Sequence, residues 1–178
     1  MSATAVLVID MLNTYDHPDA DELAASVADV IDPITRLISA ARKRDDVELI
    51  YVNDNRGDFS AGRDELVRAA LQGEHPELVE PIAPGAGCTF LTKVRHSAFY
   101  ATPLDYLLGR LETGRIVLAG QVTEQCILYS ALDGYIRHLD VVVPPNAVAH
   151  IFPELGEAAL KMMQRNMGAD LVPVDKCL

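Results

Sequence analysis

Basic residues are scarce in this chain: 15 Lys and Arg stand against 26 Asp and Glu, a formal charge of −11. Phosphate binding needs a basic face, so the shortage argues against a nucleic-acid partner. An acidic surface chiefly keeps a chain in solution and says little about its substrate. Cysteines are few and odd in number, at Cys88, Cys126 and Cys177. Thiols so widely spaced suggest no disulfide framework; they fit a reducing, cytoplasmic setting, where a special cysteine is more often chemical than structural. Long hydrophobic runs are missing too. The opening MSATAVLVID has no basic leader and reaches Asp10 after a few apolar residues, so neither a signal peptide nor a membrane span is expected. Nor is there a GxSxG, a P-loop or a GxGxxG motif, and the GAG at Gly85–Gly87 is too short to cradle a phosphate.

What is present is a pattern. The chain has 178 residues, 49% of them hydrophobic, enough for one compact domain that needs no disulfide or metal to fold. Short apolar, β-branched runs recur at Ala5–Asp10, Val47–Asn53, Cys88–Lys93, Arg115–Gly120, Asp140–Pro144 and Asp170–Val174. Continuous runs of this length fit buried parallel strands. Between them the periodicity predicts helices near Glu22–Arg44, Gly62–Leu71, Pro103–Leu111, Thr123–Arg137 and Glu154–Asn166. The alternation argues for a single α/β domain over residues 1–178, a three-layer sandwich whose mainly parallel central sheet has helices on both faces. The stretch Gly73–Gly87, rich in Pro, Glu and Gly, reads as a surface loop.

In open parallel sheets, sites form beyond the carboxyl ends of the strands. Asp10 ends the first run, Asn53 and Asp54 follow the second, and Lys93 ends the third. Gly120 ends the fourth with Cys126 shortly after it, and Asn146 follows the fifth. A carboxylate, an ammonium and a thiol are thus expected on one sheet edge. Asp10 closes an apolar run, and a poorly solvated carboxylate needs a cationic partner, for which Lys93 is the candidate; a purely structural ion pair remains open. Thr123 reads as an N-cap that puts Cys126 in the first helical turn. The helix dipole and Lys93 would then lower the thiol's pKa; the competing reading is a small buried core residue. Taken together the three give a nucleophile, a base and a cation, with backbone N–H groups around Val122 to Cys126 as oxyanion donors.

The blocks VIDMLNTY, KVRHSAFYATPLDYLL and LAGQVTEQCILYSALDGYIR resemble the three motif blocks of the isochorismatase-like cysteine hydrolases, which include nicotinamidases and other amidases. The resemblance runs through almost the whole chain in the right order. It implies a catalytic triad of Asp10, Lys93 and Cys126, a cis peptide at Val122–Thr123, and Tyr15 and Phe99 as pocket-lining aromatics; Asn53 is a further pocket candidate. It also implies a homodimer or larger assembly. Nicotinamidases carry an Asp-x-His metal motif after the second strand, but Asn55 stands here where the histidine would be, and His75 has no partner at ligand spacing. Asn146 likewise replaces a later aspartate. No metal and no cofactor is expected. Retention of Cys126 favours acyl transfer to a thiol, so the expected activity is hydrolysis of a small amide or related C–N bond through a thioester. Vinyl ether hydrolysis, or a binding domain without turnover, is the alternative. Cys88 is expected in the core and Cys177 on a loose tail. His96 reads either as a pocket neighbour or as a loop residue without function.

Overall fold

A computed structural model describes residues 3–178 of the chain. Strand β1 (Ala3–Ile9) leads into helix α1 (Ala20–Ala41), followed by β2 (Val47–Asp54), α2 (Arg63–Leu71) and a short α3 (Pro76–Val79). Next come β3 (Thr89–Lys93), α4 (Leu104–Arg110) and β4 (Thr113–Gln121). One turn of π-helix (Thr123–Ile127) runs into α5 (Leu128–Ile136), and β5 (Asp140–Val142), β6 (Val148–Ala149) and α6 (Pro153–Met167) complete the order. The strands pair in parallel in the order β3-β2-β1-β4-β5, and β6 adds to the end of β4.

Side chains on a strand alternate between the two faces of a sheet, and here both faces are covered. Val6, Val8, Tyr51 and Val117 pack under α1, α2 and α3 through Leu23, Leu37, Leu66 and Leu78. Leu7, Ile9, Val52 and Leu118 pack under α4, α5 and α6 through Leu104, Leu108, Ala131 and Met163. Two faces to bury require strands apolar at successive positions, which is why β1 and β4 read as unbroken runs. The expected three-layer α/β sandwich is what the chain forms. Helix α1 even keeps Pro33 inside it; proline frees the carbonyl four residues earlier, here at Asp29, which is exposed.

Several local expectations need correcting. The run Asp170–Val174 forms no strand: it contributes one bridge, Val142 to Asp170, before Pro173 removes a donor and a short 3-10 turn begins at Val174. Instead the last pairing on β4 comes from the two residues of β6. The stretch Gly73–Gly87 is not a bare surface loop. It holds α3 and a 3-10 turn, and buries Leu78, Val79 and Ile82 against α1.

Candidate active site

Asp10 follows β1 at the carboxyl end of the sheet with φ 54°, a left-handed conformation costly for a residue with a side chain. Both neighbouring strands hold it there. Its N–H donates to Val52 O at 2.9 Å, and its own carbonyl accepts from Gln121 Nε2 at 2.6 Å. Beside it Gly120, at φ 118°, lets β4 come close; a Cβ built there would stand 2.1 Å from Ile9 O.

The Asp10 carboxylate accepts the Asp54 N–H at 2.8 Å through Oδ1 and pairs with Lys93 Nζ at 2.8 Å through Oδ2. Lys93 is the last residue of β3, and its side chain is 1% exposed. Its ammonium also lies 3.4 Å from Asp54 Oδ2 and 3.7 Å from Cys126 Sγ. A buried ammonium costs several kcal/mol unless it is partnered; three acceptors surround this one. Burial pulls the Lys93 pKa down, but Asp10, Cys126 and Asp54 more than offset it, and the group stays charged.

Cys126 sits inside the π turn, which the rest of the fold staples in place. Thr123 Oγ1 donates to Ala149 O at 2.9 Å, and Glu124 Oε1 accepts the N–H groups of Ile151 and Phe152. The Thr123 hydroxyl therefore holds β6 rather than capping a helix, and the residue at the N-cap is Val122, without a side-chain cap. The cis peptide falls at Gln121–Val122, one bond earlier than the resemblance implied. The expected low thiol pKa is also corrected. Burial raises it first and the Asp10 carboxylate second, with Lys93 only partly compensating. Asp10 is raised as well, by burial against the pull of Lys93. Two acidic groups, the Asp10 carboxyl and the Cys126 thiol, thus compete for one ammonium.

The other expected residues divide. Asn53 is buried and clamps the chain after β1: its Oδ1 accepts Leu12 N–H at 2.9 Å and its Nδ2 donates to Leu12 O at 3.3 Å. Val122 and Asn53 line a cleft of about 310 Å³ with Asp10, Asn13, Asp54, Arg56 and Gln121. Tyr15 and Phe99 do not line it. Tyr15 is 1% exposed in the core beneath α1, and Phe99 packs between the sheet and α4 with the Arg137 guanidinium 4.7 Å from its ring centre. Their apolar bodies find more area to bury in the core than at a polar cleft. His96 does reach the site, with Nδ1 3.9 Å from Cys126 Sγ and its ring against Tyr129. Cys88 is half-buried near Arg42, and Cys177 is no loose tail: it is fully buried, with its thiol donating to Val174 O. Gln121 and Arg56 were not singled out from the sequence; the available signal was a polar residue directly after Gly120 and a cation two residues beyond Asp54.

The donor set does not suit the metal of a nicotinamidase-type site. Asn55 is buried and its Oδ1 accepts Gly57 N–H at 3.0 Å, closing a turn. Asp54 is already committed to Lys93 and to the N–H of Arg56. Among the described residues no three His, Cys, Asp or Glu converge as ligands, and no helix is long and apolar enough to cross a membrane.

Residues 4–176 match the isochorismatase domain family. An isochorismatase family protein of Bacillus subtilis, YaaI, is 29% identical over 98% of this chain and 96% of its own length. The maleamate amidohydrolase of Pseudomonas putida is 30% identical over 88% of this chain and 76% of its own. Among solved structures, the N-carbamoylsarcosine amidase of Thermoplasma acidophilum superposes with a TM-score of 0.73 at 26% identity, covering 98% of both chains.

Proposed function

The chain belongs to the isochorismatase family, and from that premise we propose that it hydrolyses a small non-peptide amide, or a related C–N bond, through a thioester on Cys126. The carrying observation is the convergence on Lys93 Nζ of Asp10 Oδ2 at 2.8 Å and Cys126 Sγ at 3.7 Å. The kinship with amidohydrolases supports hydrolysis; the side-chain hydrogen bond between Asp10 and Cys126 supports proton transfer from the thiol to that carboxylate.

As Sγ attacks the amide carbon, the Asp10 carboxylate takes the thiol proton, a C–S bond forms and the carbonyl pair moves onto oxygen. The N–H groups of Gln125 and Ile127 are spent on Val122 O, so the oxyanion donors are drawn from the other backbone N–H groups between Val122 and Cys126. Asp10 then returns its proton to nitrogen as the C–N bond breaks, releasing ammonia or an amine. Water attacks the thioester with Asp10 again as base, freeing a carboxylic acid and the thiol. Lys93 stays protonated throughout and holds the anions together. A free thiol nucleophile suits a reducing cytoplasm, and self-association is part of the same reading, supported by the exposed apolar face of α5 and α6.

Incubation with a panel of small amides tests the reading. Ammonia release is expected for some of them, with an acyl adduct on Cys126 in intact-mass spectra, and Cys126→Ala should abolish both. Ammonia release by Cys126→Ala at the parent rate overturns the mechanism.

A further inference from the structure

Arg56 supplies the cleft with a cation that the proposed mechanism does not use. It is the one Lys or Arg on the lining, in which Asp10 and Asp54 are the acidic members. Its guanidinium pairs with neither of them: the 2.7 Å contact to Asp54 is made by its backbone N–H. What holds the head group is a polar cradle on the chain after β1. Nη2 donates to Asn13 Oδ1 at 2.9 Å, and Nη1 donates to Thr14 Oγ1. Asn13 is itself 8% exposed, and its Oδ1 also accepts the N–H of Tyr15 at 2.9 Å, so the acceptor is fixed before the arginine arrives.

The charge on this held group is poorly spent within the chain. Its acidic partner is Asp16 at 3.6 Å, and that side chain is 68% exposed; such pairs contribute little in water. A guanidinium presents five donors. Two engage Asn13 and Thr14, and among the described residues Nε makes no hydrogen bond. Donors therefore remain for a planar anion, and a carboxylate matches the guanidinium fork in shape and charge. The chain as a whole, at −11, repels anions, so an anionic substrate has to be recognised locally, and Arg56 is where the cleft can do it.

We infer that Arg56 selects substrates for this site: the amide that enters carries a carboxylate a few bonds from its scissile carbon, and that carboxylate docks on the Arg56 guanidinium while the amide carbon lies over Cys126. The assignment rests on the amidase reading above. A cleft of about 310 Å³ lies at the small end of ligand sites, which suits the monoamide of a short dicarboxylic acid.

Calorimetric titration of Cys126→Ala, which binds without turnover, separates binding from chemistry. The probes are malonamate, succinamate and glutaramate, each against its diamide, which keeps the skeleton and replaces the carboxylate with a neutral amide. At least one monoamide is expected to bind about tenfold more tightly than its diamide. Adding Arg56→Gln should erase that ratio, and Arg56→Lys should keep part of it, since charge survives without the fork. Circular dichroism of both variants checks the fold. Equal binding of every pair, or a preference that survives Arg56→Gln, overturns the inference. Turnover is read separately with the parent enzyme: a binding preference without ammonia release from any amide counts against the amidase reading and leaves the anion site standing.

Discussion

The proposed mechanism gives Asp10 two jobs that pull its protonation in opposite directions. As a base it must be ionised, yet burial raises its pKa above the ordinary value of 3.8 against the pull of Lys93. The folded chain therefore binds this proton more tightly than the unfolded chain does. Stability from this group is complete below pH 3.8 and is lost as pH climbs through the native pKa. Activity runs the other way, so the acid limb of kcat/KM should lie above pH 3.8, and a limb at or below that value contradicts Asp10 as the base. The same carboxylate raises the Cys126 thiol. Asp10→Asn should then speed iodoacetamide labelling of Cys126, followed by digest mass spectrometry, while ammonia release falls by roughly 10²–10⁴-fold. Slower labelling, or retained turnover, rejects the assignment. The meeting of Asp10, Lys93 and Cys126 at one sheet edge was legible in the sequence, because each polar group closes or closely follows an apolar run. The direction of the thiol shift was not legible, since it depends on how far Cys126 is sunk and on which charge it meets first. Arg56 was hidden for a related reason: it lies beyond the strand, and the turns at Asp54 and Asn55 bring it back over the cleft.

At the scale of elements, the site depends on how closely β1 and β4 run together. Gly120 has φ 118°, and a methyl added there would meet Ile9 O at 2.1 Å and Ile9 N at 2.9 Å. Those atoms belong to a central strand that is paired on both sides, so neither strand can yield. Gly120→Ala is expected to lower stability by about 3 kcal/mol, the upper end for overpacked interiors, read as a lower urea midpoint. A change under about 0.5 kcal/mol, the scale of ordinary surface substitutions, would mean that the strands separate easily and do not fix Asp10. The strands themselves were readable because a sheet covered on both faces demands unbroken apolar runs. The failures came where tertiary contact overrides local composition. Asp170–Val174 has the right apolar content, but Pro173 ends it after one bridge. Val148–Ala149 is too short to announce itself and pairs only because β4 reaches past β5. The expected helix Thr123–Arg137 exists, but its first turn is π, pinned through Thr123 and Glu124 to residues more than twenty positions away. No local propensity encodes that.

For the whole molecule, a charge of −11 makes copies of the chain repel one another, so any stable contact between them needs a face poor in carboxylates. Helices α5 and α6 offer one. Tyr129, Leu132 and Ile136 follow helical spacing along α5 at 42%, 41% and 59% exposure, and Leu155 and Met162 lie along α6 at 50% and 47%. Leu128, Tyr129, Leu155 and Met162 line one shallow groove between the two helices, with Glu124 as its one carboxylate. Monomeric proteins seldom leave contiguous apolar surface of this kind open to water, and a face that pairs with its own copy is the simplest closed arrangement. Sedimentation at micromolar concentration is expected to show a species at least twice 19.4 kDa. Added salt should leave it intact, because apolar contact is not screened as ion pairs are. Ile136→Glu puts a charge at the most exposed position of the stripe and should return the chain to 19.4 kDa with its circular dichroism unchanged. Association also reaches the chemistry, because the Tyr129 ring lies tilted against His96, 5.4 Å between centroids, and His96 Nδ1 lies 3.9 Å from the Cys126 sulfur. A partner on this face would hold the Tyr129 ring against His96, so the dissociated variant should label faster at Cys126 than the parent. A parent chain that sediments at 19.4 kDa, or a variant that stays associated, would remove this face as the contact.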